Sequence, residues 1–493
     1  MISLFDGRLH AFQRVPNLVL YLAYLISTAL FSCLALLVLC SHCELGWLSR
    51  FTIGFIFFGV LSFILFISLW DRDRQGIEQV FALVAPPILF MFVFLMMPFA
   101  VPDEFTHINR MFDNRSGAET LLVPAQMLDA YEWITDYQTL WFFLNEPFDY
   151  SDLKETEFVA GGYSVVCYIL PSVCSFFGKA LGINGYWVIY LARLTNALVF
   201  LAAAYWMLRR CPVLRPFLFV FLLNPMLLQQ ECSCSADVLC NIGILCFLVQ
   251  TIYIIVDRKC IEKREIMILL VFFALVVACK FAYVPLCLAG LTLIPLVKSR
   301  RIRLLLLLFF IVLALLCVLV ALAMGYMSVL LTLLDASTVS KFFLSLLATL
   351  ETQSGILLWQ FSGGNLGWPY MNGQFAPVSI SVPVLWVGYI ALLALSLAAS
   401  PGGEFIGIPQ RLLFFFVSLF EIVLLFFALW QGFDSCEAVT WHQGRYFIPP
   451  ALLLAFSLLP PSNKLTGKVP VPALAGAMVG YNLFSLGCVV LFF

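Results

Sequence analysis

Long apolar runs alternate with short polar interruptions along almost the whole chain, and most of the runs have the length of a bilayer crossing. A helix rising 1.5 Å per residue needs about 20 apolar residues to cross the hydrocarbon layer. Runs of this kind fall at 17–41, 49–70, 79–102, 184–207, 214–230, 237–256, 266–279, 281–297, 304–325, 382–399, 411–431, 446–460 and 469–492, which predicts about thirteen spans. The 266–297 pair is short on both sides and reads equally as one bent unit, and the run from 214 breaks at Pro225. The pattern predicts an all-α polytopic membrane protein. It divides into an N-terminal transmembrane hairpin (1–78), a transmembrane core (79–325) that includes a long loop at 103–183, a second long loop (326–381), and C-terminal transmembrane helices (382–493). The first loop carries Tyr131, Glu132, Trp133, Asp136, Trp141, Glu146 and Asp149 and is expected to form short helices. Its apolar, Pro-interrupted stretch 164–178 suits a helix lying in the interface. The second loop contains Gly363-Gly364-Asn365-Leu366-Gly367-Trp368-Pro369-Tyr370, which reads as turns with interfacial or sugar-stacking aromatics.

Composition supports this class. Of 493 residues, 63% are hydrophobic and 11% charged, against roughly a quarter charged in soluble domains. No large soluble domain is expected, and a net charge of −1 offers nothing to a nucleic acid. The distribution of charge says more than its sum. Basic clusters at Arg72 and Arg74, Arg209-Arg210 with Arg215, Arg258-Lys259 with Lys263-Arg264, Lys298 with Arg300, Arg301 and Arg303, and Lys464 with Lys468 all fall on one side if the N-terminus is cytoplasmic. Basic residues concentrate on cytoplasmic loops, so both long loops are expected outside. The run 17–41 is longer than a signal-peptide core and reads as the first span. Of sixteen cysteines, most lie within apolar runs, where Cys acts as a small hydrophobe. Cys232, Cys234 and Cys436 are placed toward the oxidising side, where a disulfide among them is an option.

Four polar clusters share that outer side. The first is Pro102-Asp103-Glu104 with His107 and Arg110, set where the third run leaves the bilayer. Charges there are costly unless water, a partner or a substrate meets them. An acid at this point suits a general base on an acceptor hydroxyl, with Arg or His holding an anion; a solvated helix start is the competing reading. The second is Asn224-Pro225, Gln229-Gln230, Ser233, Ser235 and Asp237, where a broken helix either lines a cavity or supplies a cap. The third is Lys280 with Tyr283 and Pro285, a point charge for a lipid phosphate or a snorkelling lysine. The fourth is Gln443-Gly444-Arg445-Tyr446-Phe447 with Pro449, whose Arg fits a phosphate or anchors at the interface. No P-loop or GxGxxG motif is present in the chain, so a cytoplasmic nucleotide-sugar donor is not expected.

Taken in order, these four segments resemble the bacterial membrane-protein family DUF2142, a relative of the GT-C glycosyltransferases, over about residues 79–460. The resemblance implies a GT-C-like helical bundle with two long extracytoplasmic segments in the bacterial inner (cytoplasmic) membrane, with its active site in the periplasm. It also implies a sugar moved from a polyprenyl-phosphate-linked donor to an envelope polysaccharide such as O-antigen. Asp103 matches the catalytic acid of the first outer loop, with Glu104 beside it. His107, Arg110, Ser235, Asp237, Lys280, Tyr283, Arg445 and Tyr446 become candidates for holding substrate or lipid phosphate. Use of a divalent cation (Mg or Mn) at the adjacent acids is left open. Two departures stand out. The acidic loop follows the third run rather than the first, so 1–78 reads as an added hairpin, and Phe105 stands where the family often has Pro. A polysaccharide polymerase and a lipid-linked sugar flippase remain alternatives; the one acid deep in a run, Glu421, is the feature that speaks for transport.

Overall fold

The computed structural model describes residues 76–492 except 309–335, 364–369, 376–382, 431–435, 440–442, 462–470 and several shorter stretches. The expected spans 17–41 and 49–70, and most of 304–325, lie outside the described residues, as do Trp441 and His442. The described chain is mostly helical. In order come α1 (Ile77–Leu95), α2 (Glu104–Phe112), β1 (Leu121–Pro124), α3 (Ala125–Trp133), α4 (Tyr137–Asn145), β2 (Leu153–Thr156), a 3-10 turn (Val165–Tyr168) and α5 (Ile169–Ala180). Then follow α6 (Gly185–Arg210), α7 (Arg215–Leu222), α8 (Pro225–Glu231), α9 (Asp237–Asp257), α10 (Lys263–Cys279), a 3-10 stretch (Phe281–Leu296) and α11 (Ala336–Phe361). The chain closes with β3 (Tyr370–Met371), β4 (Gln374–Phe375), α12 (Pro383–Ala399), α13 (Ile408–Trp430), a 3-10 turn (Gly444–Phe447), α14 (Ile448–Leu458) and α15 (Val471–Phe492).

Among the described residues, five helices are long and apolar enough to cross a membrane: α1, α6, α9, α11 and α13. α9 packs against α6, α10 and the 3-10 stretch, while α1 packs against α6 and α15. Lipid tails are as apolar as Leu, so this association rests on close side-chain packing and internal polar contacts rather than on hydrophobic burial. Edge-to-face rings such as Phe81 and Phe219, 6.2 Å apart, are typical of the seams. The expected bent unit at 266–297 divides at Lys280, between α10 and the 3-10 stretch, where Pro285 and Pro295 withhold amide donors.

The run 214–230 is broken where expected. Asn224 sits between α7 and α8 and its Oδ1 accepts from the Met226 N–H at 2.7 Å, capping α8. Its Nδ2 donates to the Phe361 carbonyl at the end of α11, so one side chain satisfies orphan groups of two helices.

Two expectations are corrected, and one open option is decided against. First, the fold is not purely α. β1 and β2 pair antiparallel with Leu121 opposite Thr156, and β3 pairs with β4. Three of the four residues of the 121–124 strand are buried and only Leu122 is exposed, which periodicity over four residues cannot reveal. Second, the expected loop 326–381 contains the 26-residue helix α11. It runs beside the end of α13 and residues 437–439: Phe342 packs on Phe427 and Trp430, Ser345 Oγ donates to the Glu437 carbonyl, and the Val439 N–H donates to Thr349 Oγ1. A Cβ on Gly444 would stand 2.4 Å from the Phe361 nitrogen, so only glycine permits this approach. Third, Cys232, Cys234 and Cys436 are free thiols, the first two buried with backbone acceptors on α1 and α6. The short helices α3 and α4 appear as expected. α5 carries an exposed apolar stripe of Ile169, Val173, Phe176 and Phe177, the pattern of a helix resting on an interface.

Candidate functional site

Two ionic clusters grow out of the turn that follows α1, and the adjacent acids Asp103 and Glu104 supply one each. Glu104 opens α2 and is fully buried with Arg193, a mid-helix residue of α6. Arg193 Nε donates to Glu104 Oε1 at 2.8 Å, and its Nη2 pairs with Oε2. The same guanidinium donates to the carbonyls of Val93, Met96 and Met97, the unsatisfied end of α1. Glu104 also accepts from the Phe99 and Cys234 amides at 3.2 and 3.1 Å. This is a clamp that closes the α1–α2 turn onto α6 and the turn before α9. Its carboxylate has no free face, so Glu104 does not join Asp103 around one ion, and the adjacent-acid geometry for Mg or Mn is not formed.

Asp103 faces the other way. It precedes α2 in the left-handed region, φ 62° and ψ 4°, a conformation Asp adopts more readily than most residues. Its carboxylate stands at the helix start but makes no capping bond. Instead Oδ2 accepts from Arg445 Nη2 at 2.5 Å, with Asp103 half-exposed (52%) and Arg445 buried (2%). Arg445 Nη1 donates to the Pro102 carbonyl at 3.0 Å and to Gln230 Oε1 at 3.1 Å. Its Nε lies 3.4 Å from Asp237 Oδ2, an ion pair without a hydrogen bond. Lys280 Nζ donates to Asp237 Oδ1 at 2.8 Å and stands 4.9 Å from the rings of Tyr283 and Tyr446 and 5.4 Å from Tyr163. Neither basic residue is an interface anchor: both are turned inward onto Asp237. Two cations and two anions thus form a neutral cluster, buried except at Asp103.

His107, one turn into α2, is buried beside this cluster. Nδ1 shares a 2.8 Å hydrogen bond with the Tyr168 hydroxyl, and Nε2 has no partner. Burial pushes its pKa from 6.5 down to about 4; Arg445 and Lys280 add to the shift, while Asp237 and Asp103 oppose it. The imidazole is therefore neutral near pH 7. Burial foremost raises the Tyr163 hydroxyl, which stays protonated. His107 Nε2, Asp237 Oδ2 and Arg445 Nε are three buried polar atoms without hydrogen bonds in one cluster. Buried polar groups are normally satisfied; Asp237 Oδ2 and Arg445 Nε face each other as an ion pair, while His107 Nε2 has no partner.

The remaining sequence candidates take supporting places. Ser235 Oγ accepts from the Asp237 amide at 3.1 Å at the start of α9, the capping reading. Arg110 lies over the Tyr168 ring at 5.2 Å and donates to the carbonyls of Arg115 and Tyr163, bracing the loop that carries both tyrosines. The Tyr283 hydroxyl donates to the Tyr446 carbonyl at 3.4 Å. Sequence reasoning missed Arg193, Tyr163 and Tyr168. An Arg in the middle of a predominantly apolar 26-residue helix was the signal for the first; nothing in the spacing marked the tyrosines.

One family, described as Predicted membrane protein (DUF2142), matches residues 87–454, a range that spans all four candidate segments. The chain belongs to this family. The matched region of this DUF2142 member contains both ionic clusters and every candidate residue named above. No curated protein and no solved structure matches the chain.

Proposed function

We propose that this DUF2142 protein is a membrane glycosyltransferase of the GT-C type, transferring sugar from a polyprenyl-phosphate-linked donor to an envelope polysaccharide such as O-antigen on the periplasmic face. The supporting observation is the half-exposed Asp103 held at the edge of the buried Arg445–Asp237–Lys280 cluster. In this reading Asp103 takes the proton of the acceptor hydroxyl as its oxygen bonds to the anomeric carbon. The bond from that carbon to the phosphate oxygen breaks, and polyprenyl phosphate leaves. Lys280 uses one of its three protons on Asp237, which leaves it donors for the phosphate, and Arg445 Nε, 3.4 Å from Asp237 Oδ2, makes no hydrogen bond there. Neutral His107 offers Nε2 without adding charge. Basic loop clusters support a periplasmic location for this end. Asp103→Asn, assayed in membranes with labelled lipid-linked sugar, should abolish transfer; full activity would remove Asp103 as the base.

A transport reading has one observation in its favour. Glu421, in α13, is fully buried with neither carboxylate oxygen hydrogen-bonded, and intramembrane acids often carry protons or ions. Reconstituted lipid translocation without sugar transfer, lost in Glu421→Gln, would favour it.

A further inference from the structure

Behind the charged cluster, three cysteines from three separate segments converge. Cys167 closes on Cys240 of α9 and Cys279 of α10, with all three sulfurs within 4.8 Å of one another and all three buried. Cys211, Cys232 and Cys246 are also buried, but none of them joins such a group among the described residues. A buried cysteine used only as packing has no reason to meet two others. Position in the chain adds weight. Cys279 precedes Lys280, Cys240 lies one turn after Asp237, and Cys167 precedes Tyr168, the partner of His107.

We propose that Cys167, Cys240 and Cys279 bind a thiophilic d10 cation, zinc(II) or copper(I), which fastens together the three segments that carry Lys280, Asp237 and Tyr168. Thiolates favour these ions over the harder magnesium and manganese. Sulfurs about 2.3 Å from a central ion lie about 4.0 Å apart, so the observed group needs to contract by less than about 1 Å. Each thiol coordinates as thiolate and gives its proton to solvent. The ion would be a positioning element, since the sulfurs belong to the packed base of the cluster and not to its exposed edge at Asp103.

The test uses the full chain, purified in detergent under reducing conditions. One portion is loaded with zinc sulfate. Another is loaded anaerobically with copper(I) against bicinchoninic acid. Both are desalted, and bound metal is counted by mass spectrometry. One arm should retain one ion per chain; that ion should survive in Cys246→Ser and be lost in Cys240→Ser. X-ray absorption on the loaded, unmutated protein should show three sulfurs about 2.3 Å from the ion, a readout that holds even if the serine variant does not fold. Failure of the unmutated chain to retain either ion, retention in a folded Cys240→Ser, or a disulfide among the three in peptide mapping would overturn the assignment.

Discussion

Asp103 and Glu104 are neighbours in sequence, but the two ionic clusters they enter do different work. Glu104 meets Arg193 with both groups sealed from solvent, and every oxygen has a donor. Asp103 meets Arg445 with its own carboxylate half-exposed, in a cluster that leaves three polar atoms unsatisfied. A fully paired buried charge is bound into the fold and costly to disturb. A partly open one keeps capacity for a ligand. The left-handed conformation at Asp103 is what separates them, because it turns the chain sharply into α2 and sends consecutive side chains to different neighbours.

The comparison breaks most readily at the clamp. Glu104→Ala leaves Arg193 as an uncompensated buried charge and should cost about 3–5 kcal/mol, read as a large fall in thermal stability in detergent. Replacing both partners with apolar residues of similar volume should recover much of that loss. Asp103→Asn should do the reverse. Sugar transfer should fall about 10²–10⁴-fold, the usual worth of a general base, while the melting temperature stays nearly unchanged, because Asn also tolerates the left-handed region.

A third prediction concerns acid. His107 is neutral in the folded state, with its pKa lowered from 6.5 to about 4. The unfolded chain therefore binds the proton first. The stability contributed by neutral His107 is complete above pH 6.5 and is lost as pH falls from there toward 4, by about 3 kcal/mol in total. His107→Gln should flatten a plot of melting temperature against pH across that window. The smallest effect tests the link between the clusters. The turn 231–237 sends the Cys234 amide to Glu104 and begins the helix bearing Asp237, with Ser235 bridging to the Asp237 amide. Ser235→Ala should cost about 1 kcal/mol and lower transfer modestly. Unchanged transfer at the expected stability loss would show that the clusters are independent.

Much of the helical framework was legible along the chain. Apolar runs of bilayer length predicted α6, α9, α12, α13, α14 and α15 to within a few residues, the run 79–102 overran the end of α1 at Leu95 by seven, and the Asn224-Pro225 break was visible because Pro withholds an amide and Asn supplies a cap. α11 was not, because its polar residues Ser345, Thr349 and Gln360 are spaced through it and lowered the apparent hydrophobicity. Ser345 and Thr349 are satisfied by a helix carbonyl and by Glu437 and Val439, contacts that only exist once those residues lie alongside, while Gln360 Oε1 is buried without a hydrogen bond.

Residue chemistry and spacing alone determined the membrane class and which polar residues were candidates for a site, Asp103, Asp237, Lys280 and Arg445 among them, and the resemblance carried by their segments pointed to the family. Tertiary structure decided how they pair. Asp103 and Arg445 lie more than three hundred residues apart, and no local pattern specifies that a guanidinium from one end of the chain will meet a carboxylate from the other. Local periodicity encodes which face of a helix is apolar. Partner choice among buried charges depends on where whole helices pack, because the low dielectric of the interior makes each charge take whichever counter-charge the packing brings within reach. That is why Glu104 became part of the clamp with Arg193, and why Asp103 was left with an open side.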